Sequence, residues 1–140
     1  MSTYINFFIV NNKKAIPIGD FSRNNYVYTY FSNYCNYEGA SEINIKYLGY
    51  IKETINVDIA ANKKRIKEHK DEINFLKGDN KSLEDYREIK ETIGYLKEEN
   101  KALKCCLYWT EILIDMINAD ENNKIYVGIE CEAPIFEEEE

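Results

Sequence analysis

The chain opens on a β-branched and aromatic run, Tyr4-Ile5-Asn6-Phe7-Phe8-Ile9-Val10, that stops at Asn11-Asn12-Lys13-Lys14 and resumes as Ala15-Ile16-Pro17-Ile18 before Gly19-Asp20. Two short apolar runs around a polar turn predict a β-hairpin. Pro17 lacks a backbone donor, which puts the second strand at an edge or ends it. The stretch 22–37 is strand-like in composition, yet Val27, Phe31, Tyr34 and Cys35 fall at i, i+4, i+7 and i+8. That spacing predicts a short helix, with Ser22 available as its cap. Gly39-Ala40-Ser41 then breaks the pattern and offers a helix start.

From about Ile43 to Lys77 a seam recurs with 4-3 spacing: Leu48, Lys52, Ile55, Ile59, Asn62, Ile66, His69, Ile73, Leu76. Gly78-Asp79-Asn80 supplies a stop and a turn, and Ser82 an N-cap with Glu84 and Asp85 in the first turn. A second seam follows, Tyr86, Ile89, Ile93, Leu96, Asn100, Leu103, Leu107, Thr110, Ile114, Ile117, and keeps the 3-4 alternation without a slip. Each seam needs a partner helix, and so short a turn makes the two helices antiparallel neighbours. Folding about residues 79 and 80 sets Ile66 opposite Ile93 and Ile59 opposite Asn100. Asn62 and Asn100 then sit on facing seams, where buried amides set register. At about 1.5 Å per residue each arm runs on the order of 50 Å, so the hairpin tip projects. At Ile66, at the centre of the seam, an aspartate is expected to destabilise the fold by several kcal/mol through a buried unpaired charge.

Past Leu103 the apolar face widens to include Cys105, Cys106, Tyr108, Trp109, Ile112, Leu113 and Met116, and the opposed stretch Ile43 to Val57 is equally rich. The base of the hairpin is therefore expected to pack on the sheet. Lys124 to Cys131 reads as a closing strand that pairs with the N-terminal hairpin. The fold class is α+β, a small antiparallel sheet packed on a long antiparallel helical hairpin. We read residues 1–140 as a single domain: 1–40 a β-hairpin and a short Tyr-rich segment, 41–119 the helical hairpin, 124–131 the closing strand, 132–140 an acidic tail in which Ile135 and Phe136 can dock.

Charge alters this picture by its distribution. The 18 Lys+Arg and 25 Asp+Glu leave a net charge of -7. Residues 105–140 carry one basic and ten acidic side chains, ending in Glu137-Glu138-Glu139-Glu140, whereas 52–104 carry 13 and 12. An acidic end repels phosphate, so direct nucleic-acid binding is not expected; that end is either a solvated tail or a fit for a basic groove on a partner. No apolar run approaches the ~20 residues of a membrane span, and the first apolar stretch lacks a basic leader, so a cytoplasmic location is expected.

Candidate chemistry is sparse. Cys35, Cys105, Cys106 and Cys131 form no C-x-x-C pair, adjacent Cys105 and Cys106 diverge by about 100° on a helix, and reduced core thiols are expected. His69 occupies a seam position with no nucleophile or paired carboxylate at a useful spacing. The isolated glycines build no phosphate loop. These observations predict no catalytic residues, no metal and no cofactor.

Tyrosine is the unusual feature. Of twelve, seven (Tyr26, Tyr28, Tyr30, Tyr34, Tyr37, Tyr47, Tyr50) fall within 25 residues. Tyrosine offers rigid contact area with a polar tip, which suits recognition surfaces, and equally suits the edge of a small core. If the patch binds, Arg23, Asn24 and Asn25 add directional hydrogen bonds, and Tyr26, Tyr28, Tyr30 and Tyr34 form the surface. Such a pocket also suits a small anionic, nucleotide-like ligand. Glu130 and Glu132 complete the candidate set as the acidic contribution. A second hairpin alongside would bury Ile45, Ile51, Tyr95 and Ala102, so a homodimer is expected.

The short hairpin Tyr4 to Ile18, the lysine- and glutamate-rich helical hairpin and the closing strand Lys124-Ile125-Tyr126-Val127-Gly128-Ile129-Glu130-Cys131 together resemble small accessory proteins of phages and prophages in AT-rich bacteria. That resemblance implies a non-enzymatic role in countering host defence, by blocking an effector protein or by sequestering a nucleotide signal. The expectation is a binding protein that docks to a host protein; the alternatives are capture of a small nucleotide-like ligand and a structural coiled-coil adaptor.

Overall fold

The computed structural model describes residues 3–36, 38–76 and 83–136. Strand β1 (Tyr4–Asn11) and strand β2 (Lys14–Ser22) form the predicted hairpin. Its two central residues, Asn12 and Lys13, have φ of 52° and 65°, the left-handed pair that a tight two-residue turn requires. β2 outlasts the predicted run: its register shifts opposite Phe7 and Phe8, so the strand passes Pro17 and continues to Ser22. The sheet order is β2-β1-β4-β3, antiparallel throughout, which leaves the proline strand at an edge.

Helix α1 (Tyr26–Phe31) runs into a 3-10 turn, Ser32–Tyr34. Asn25, not Ser22, is its cap: the Asn25 side chain accepts from the Val27 N–H at 2.9 Å. Ser41–Ile43, expected to begin the long helix, is instead strand β3, paired with β4 from Ser41↔Val127 to Ile43↔Ile125. The helix starts after it, where the Asn44 side chain accepts from the Lys46 N–H at 2.9 Å.

Helix α2 (Ile45–Leu76) and helix α3 (Leu83–Ala119) are 32 and 37 residues long, about 48 and 55 Å. They pack against each other in the predicted register. Asn62 donates to Asn100 at 2.9 Å, and Asn100 donates to the Ile59 carbonyl at 3.3 Å, so both buried amides find partners. The predicted stop at Gly78-Asp79-Asn80 and the Ser82 cap lie outside the described residues. β4 (Lys124–Ile129) is two residues shorter than predicted because Glu130 turns the chain with φ 49°.

The core lies where the sheet meets the hairpin base. Inward residues Ile5 and Phe7 of β1 and Ile125 and Val127 of β4 join Val27, Phe31, Leu48, Ile55, Leu103 and Leu113. Phe7 is its hub, in contact edge-on with Phe21, Phe31 and Trp109 at 5.8, 5.1 and 5.4 Å between centroids; each such pair contributes about 0.5–1.5 kcal/mol beyond its buried area. Gly19 sits tightly against this cluster, since a Cβ there would stand 3.0 Å from the Trp109 ring.

The covering sheet also moves the α3 seam. The fully buried line runs Leu96, Leu103, then Cys106, Thr110 and Leu113 rather than Leu107, Thr110 and Ile114. The helix turns its face from α2 toward the sheet, so the expected slip-free alternation does not hold. Further out no sheet is present, and Ile66, His69 and Ile73 on α2 are only half-buried.

Phe8 and Val10 point to the other side of the sheet, yet are 4% and 5% exposed. Residues beyond Glu130 turn back over that side: Ala133, Pro134 and Phe136 are half-buried, and Phe136 meets Tyr126 edge-on at 5.6 Å. The stretch read as a solvated tail therefore begins by covering the sheet, while Ile135 stays 90% exposed. Residues 137–140 lie outside the described residues. Among the described residues no helix is long and apolar enough to cross a membrane.

Candidate functional site

The predicted binding residues divide among three places. Arg23 and Asn24 are exposed beyond β2, with the Arg23 N–H donating to the Thr3 carbonyl at 2.9 Å. Asn25 is consumed by capping α1. Tyr26, Tyr28 and Tyr30 are half-buried against the core, the edge-of-core alternative, and two of them fasten α1 to the hairpin. Tyr30 donates a short hydrogen bond to Asp58 of α2. Tyr26 stands beside Glu99 of α3. Burial first, then the Asp58 bond and charge, raises the Tyr30 phenol well above its ordinary range; burial and then Glu99 raise Tyr26 as well.

Tyr34 belongs elsewhere. Its ring packs on Tyr47 at 5.4 Å, and Tyr47 on Tyr50 at 6.0 Å, with Lys46 over the Tyr50 ring at 5.8 Å. Exposures of 36%, 44% and 46% make this row of rings a surface feature. Along α2 it extends through Thr54 to Val57, itself 61% exposed, in a second 3-4 spacing that faces solvent rather than α3. Tyr47 and Tyr50 had the right residue type, and their 3-4 spacing with Thr54 and Val57 was readable, but the stronger inward seam masked it. Tyr37 lies outside the described residues.

Glu130 and Glu132 sit on the far side of the sheet from α1. The Glu130 carboxylate accepts from the Tyr4 N–H at 2.9 Å, and Asn6 joins Asp20 at 2.8 Å and the Cys131 N–H at 3.0 Å. These contacts close the chain reversal after β4. Gly128 is required there, because a Cβ would come 3.0 Å from the Ala40 backbone and 2.5 Å from the Cys131 sulfur. The two glutamates thus do not share a site with the tyrosines.

A depression of about 300 Å³ between α1 and α3 brings Asn24, Asn25 and Tyr26 beside Ala102, Cys105 and Cys106. Burial, with Cys105 as a lesser cause, pushes the Cys106 thiol up to about 12; burial and then Cys131 push Cys35 up to about 11. Both are held as thiols, the inert form. Among the described residues no three of His, Cys, Asp and Glu gather as metal ligands. Of the residues expected at a dimer surface, Ile45 and Tyr95 are 39% and 69% exposed, Ala102 lines the depression, and Ile51, 2% exposed, belongs to the chain's own core. Compared with protein-family models, with curated proteins and with solved structures, the chain matches none.

Proposed function

We propose that this is a non-catalytic docking protein that recognises a partner protein through the exposed row Tyr34, Tyr47, Tyr50 and Val57. The observation that carries the reading is the mutual packing of three exposed tyrosine rings. Rings that brace one another lose little entropy on binding, and tyrosine is enriched among residues that dominate interface energies. The 3-4 spacing suits an apolar stripe on a partner helix. The resemblance to phage accessory proteins supports a host defence protein as that partner and blockade as the effect.

Changing Tyr47 and Tyr50 together to Ala should abolish capture of the partner from host lysate while leaving the melting temperature within about 2 °C, since surface substitutions change stability little. Undiminished capture would reject the surface. Deleting residues 132–140, the obvious test of the acidic end, would also uncover Phe8 and Val10; Glu137–Glu140 changed together to Gln isolates the charge.

The depression beside Asn24 and Tyr26 supports a second reading, capture of a small nucleotide-like ligand, since 300 Å³ lies at the lower limit of ligand sites. Saturable thermal stabilisation by a member of a nucleotide panel, lost in Asn24→Ala, would favour it.

A further inference from the structure

The two faces of the projecting hairpin carry opposite charge. Asp58 and Glu99, which meet the α1 tyrosines, each precede a seam residue, Ile59 and Asn100. In an antiparallel pair, positions preceding the seam on both helices share one face, and positions following it share the other. The first face continues as Glu68 and Glu72, with the single cation Arg65, on α2 and as Asp85 and Glu88 on α3, and is acidic on balance. The second holds Lys63, Lys67 and Lys70, which follow Asn62, Ile66 and His69, and Lys97, Lys101 and Lys104, which follow Leu96, Asn100 and Leu103. No carboxylate follows the seam between Ala60 and Lys70 or between Arg87 and Lys104.

All six lysines are exposed, and none makes an ion pair among the described residues, where the recorded pairs are Lys52–Glu111, His69–Glu72 and Arg87–Glu91. Within each row the spacing along the helix is about 6 and 4.5 Å. The rows stand about 8–10 Å apart, the separation of packed helices. With Asn100 level with Ile59 to Asn62, the patch covers about 20 Å of hairpin. Six like charges left unpaired on one rigid face repel one another unless an anionic surface meets them.

We propose that this face binds the phosphate backbone of double-stranded DNA. About 20 Å of duplex presents about twelve phosphates, and a groove ~6 Å wide has its two backbones within reach of two lysine rows. Aromatic platforms, which single strands require, are absent from between the rows, and the narrow groove that two close lysine rows span is that of B-form DNA, whereas the minor groove of duplex RNA is wide and shallow. The net charge of -7 does not oppose this contact: residues 52–104 carry 13 basic against 12 acidic side chains, and the six acids of residues 105–136 belong to the sheet end. Repulsion from there fades over a Debye length of about 8–10 Å. The docking surface proposed above lies on another face, so each can fail without the other.

The test is fluorescence anisotropy of a labelled 20-bp DNA duplex titrated with the full chain at several salt concentrations. Binding is expected at low salt, with log K falling against log[salt] at a slope of about -5, six contacts at about 0.9 each. The triple variants Lys63→Gln/Lys67→Gln/Lys70→Gln and Lys97→Gln/Lys101→Gln/Lys104→Gln should each weaken binding at least tenfold and roughly halve the slope. Lys13→Gln/Lys14→Gln/Lys124→Gln removes equal charge at the sheet and should stay within twofold. Circular dichroism checks folding, and either triple decides if the other fails to fold. No binding at about 20 mM salt, equal losses in all three variants, equal affinity for duplex RNA, or binding to phosphatidylserine vesicles but not DNA would each overturn the proposal.

Discussion

The base and the arm of the hairpin use the same 3-4 spacing with different results. At the base, Leu48, Ile55, Leu103 and Leu113 are at most 1% exposed because the sheet and α1 cover one face of the helix pair. Beyond Asn62 the cover is uneven: Ile93 and Leu96 of α3 are still 6% and 1% exposed, while Ile66 and Ile73 of α2 are left half-buried, since each helix has only the other to cover it. A heptad seam therefore specifies register, while the number of layers around it determines how much free energy each apolar residue contributes.

The sharpest way to break the contrast is a pair of truncations. Phe7→Ala at the hub should cost about 3–5 kcal/mol in denaturant unfolding, whereas Ile66→Ala should cost about 1 kcal/mol; similar values would erase the distinction. Ile66→Asp, expected from the seam alone to bury a charge, should cost only about 1–2 kcal/mol because the site is half-exposed. Next in size is the amide staple at the boundary between the two regions. Asn62→Ala leaves Asn100 short of a partner and should cost about 1–3 kcal/mol, while Asn62→Leu with Asn100→Leu should recover most of it.

Smaller effects sharpen the picture of the base. Phe136→Ala, by uncovering the far side of the sheet, should cost about 1 kcal/mol. The Tyr30 pKa is raised in the folded state, so the stability it confers is fully present below its unfolded value near 10 and is lost as pH rises beyond that. Equilibrium unfolding should show a decline above pH 10 that is shallower in Tyr30→Phe. In native alkylation at pH 8, exposed Cys105 should react first and buried Cys106 last.

The architecture is largely readable from the chain because its long elements repeat their signal: the two seams alone set Asn62 and Asn100 on facing sides. What escaped was non-local. Ser41–Ile43 is a strand only because β4 lies beside it, and three residues carry no periodicity of their own. The drift from Leu103 to Cys106 reflects the sheet, which the helix pattern alone does not contain. The candidate site was less readable, because tyrosine serves a core edge and a surface equally well. Tyr30 found Asp58 and turned inward, whereas Tyr34 met Tyr47 and stayed out. The glutamates were grouped with the tyrosines by composition, yet the sheet separates them.

The most direct test of the two-region architecture is native-state hydrogen exchange resolved by peptide. Amides of 63–76 and 83–95 should exchange by local opening well before those of β1, β4 and residues 48–59 and 103–113. Uniform protection along both helices, lost in one cooperative step, would contradict it.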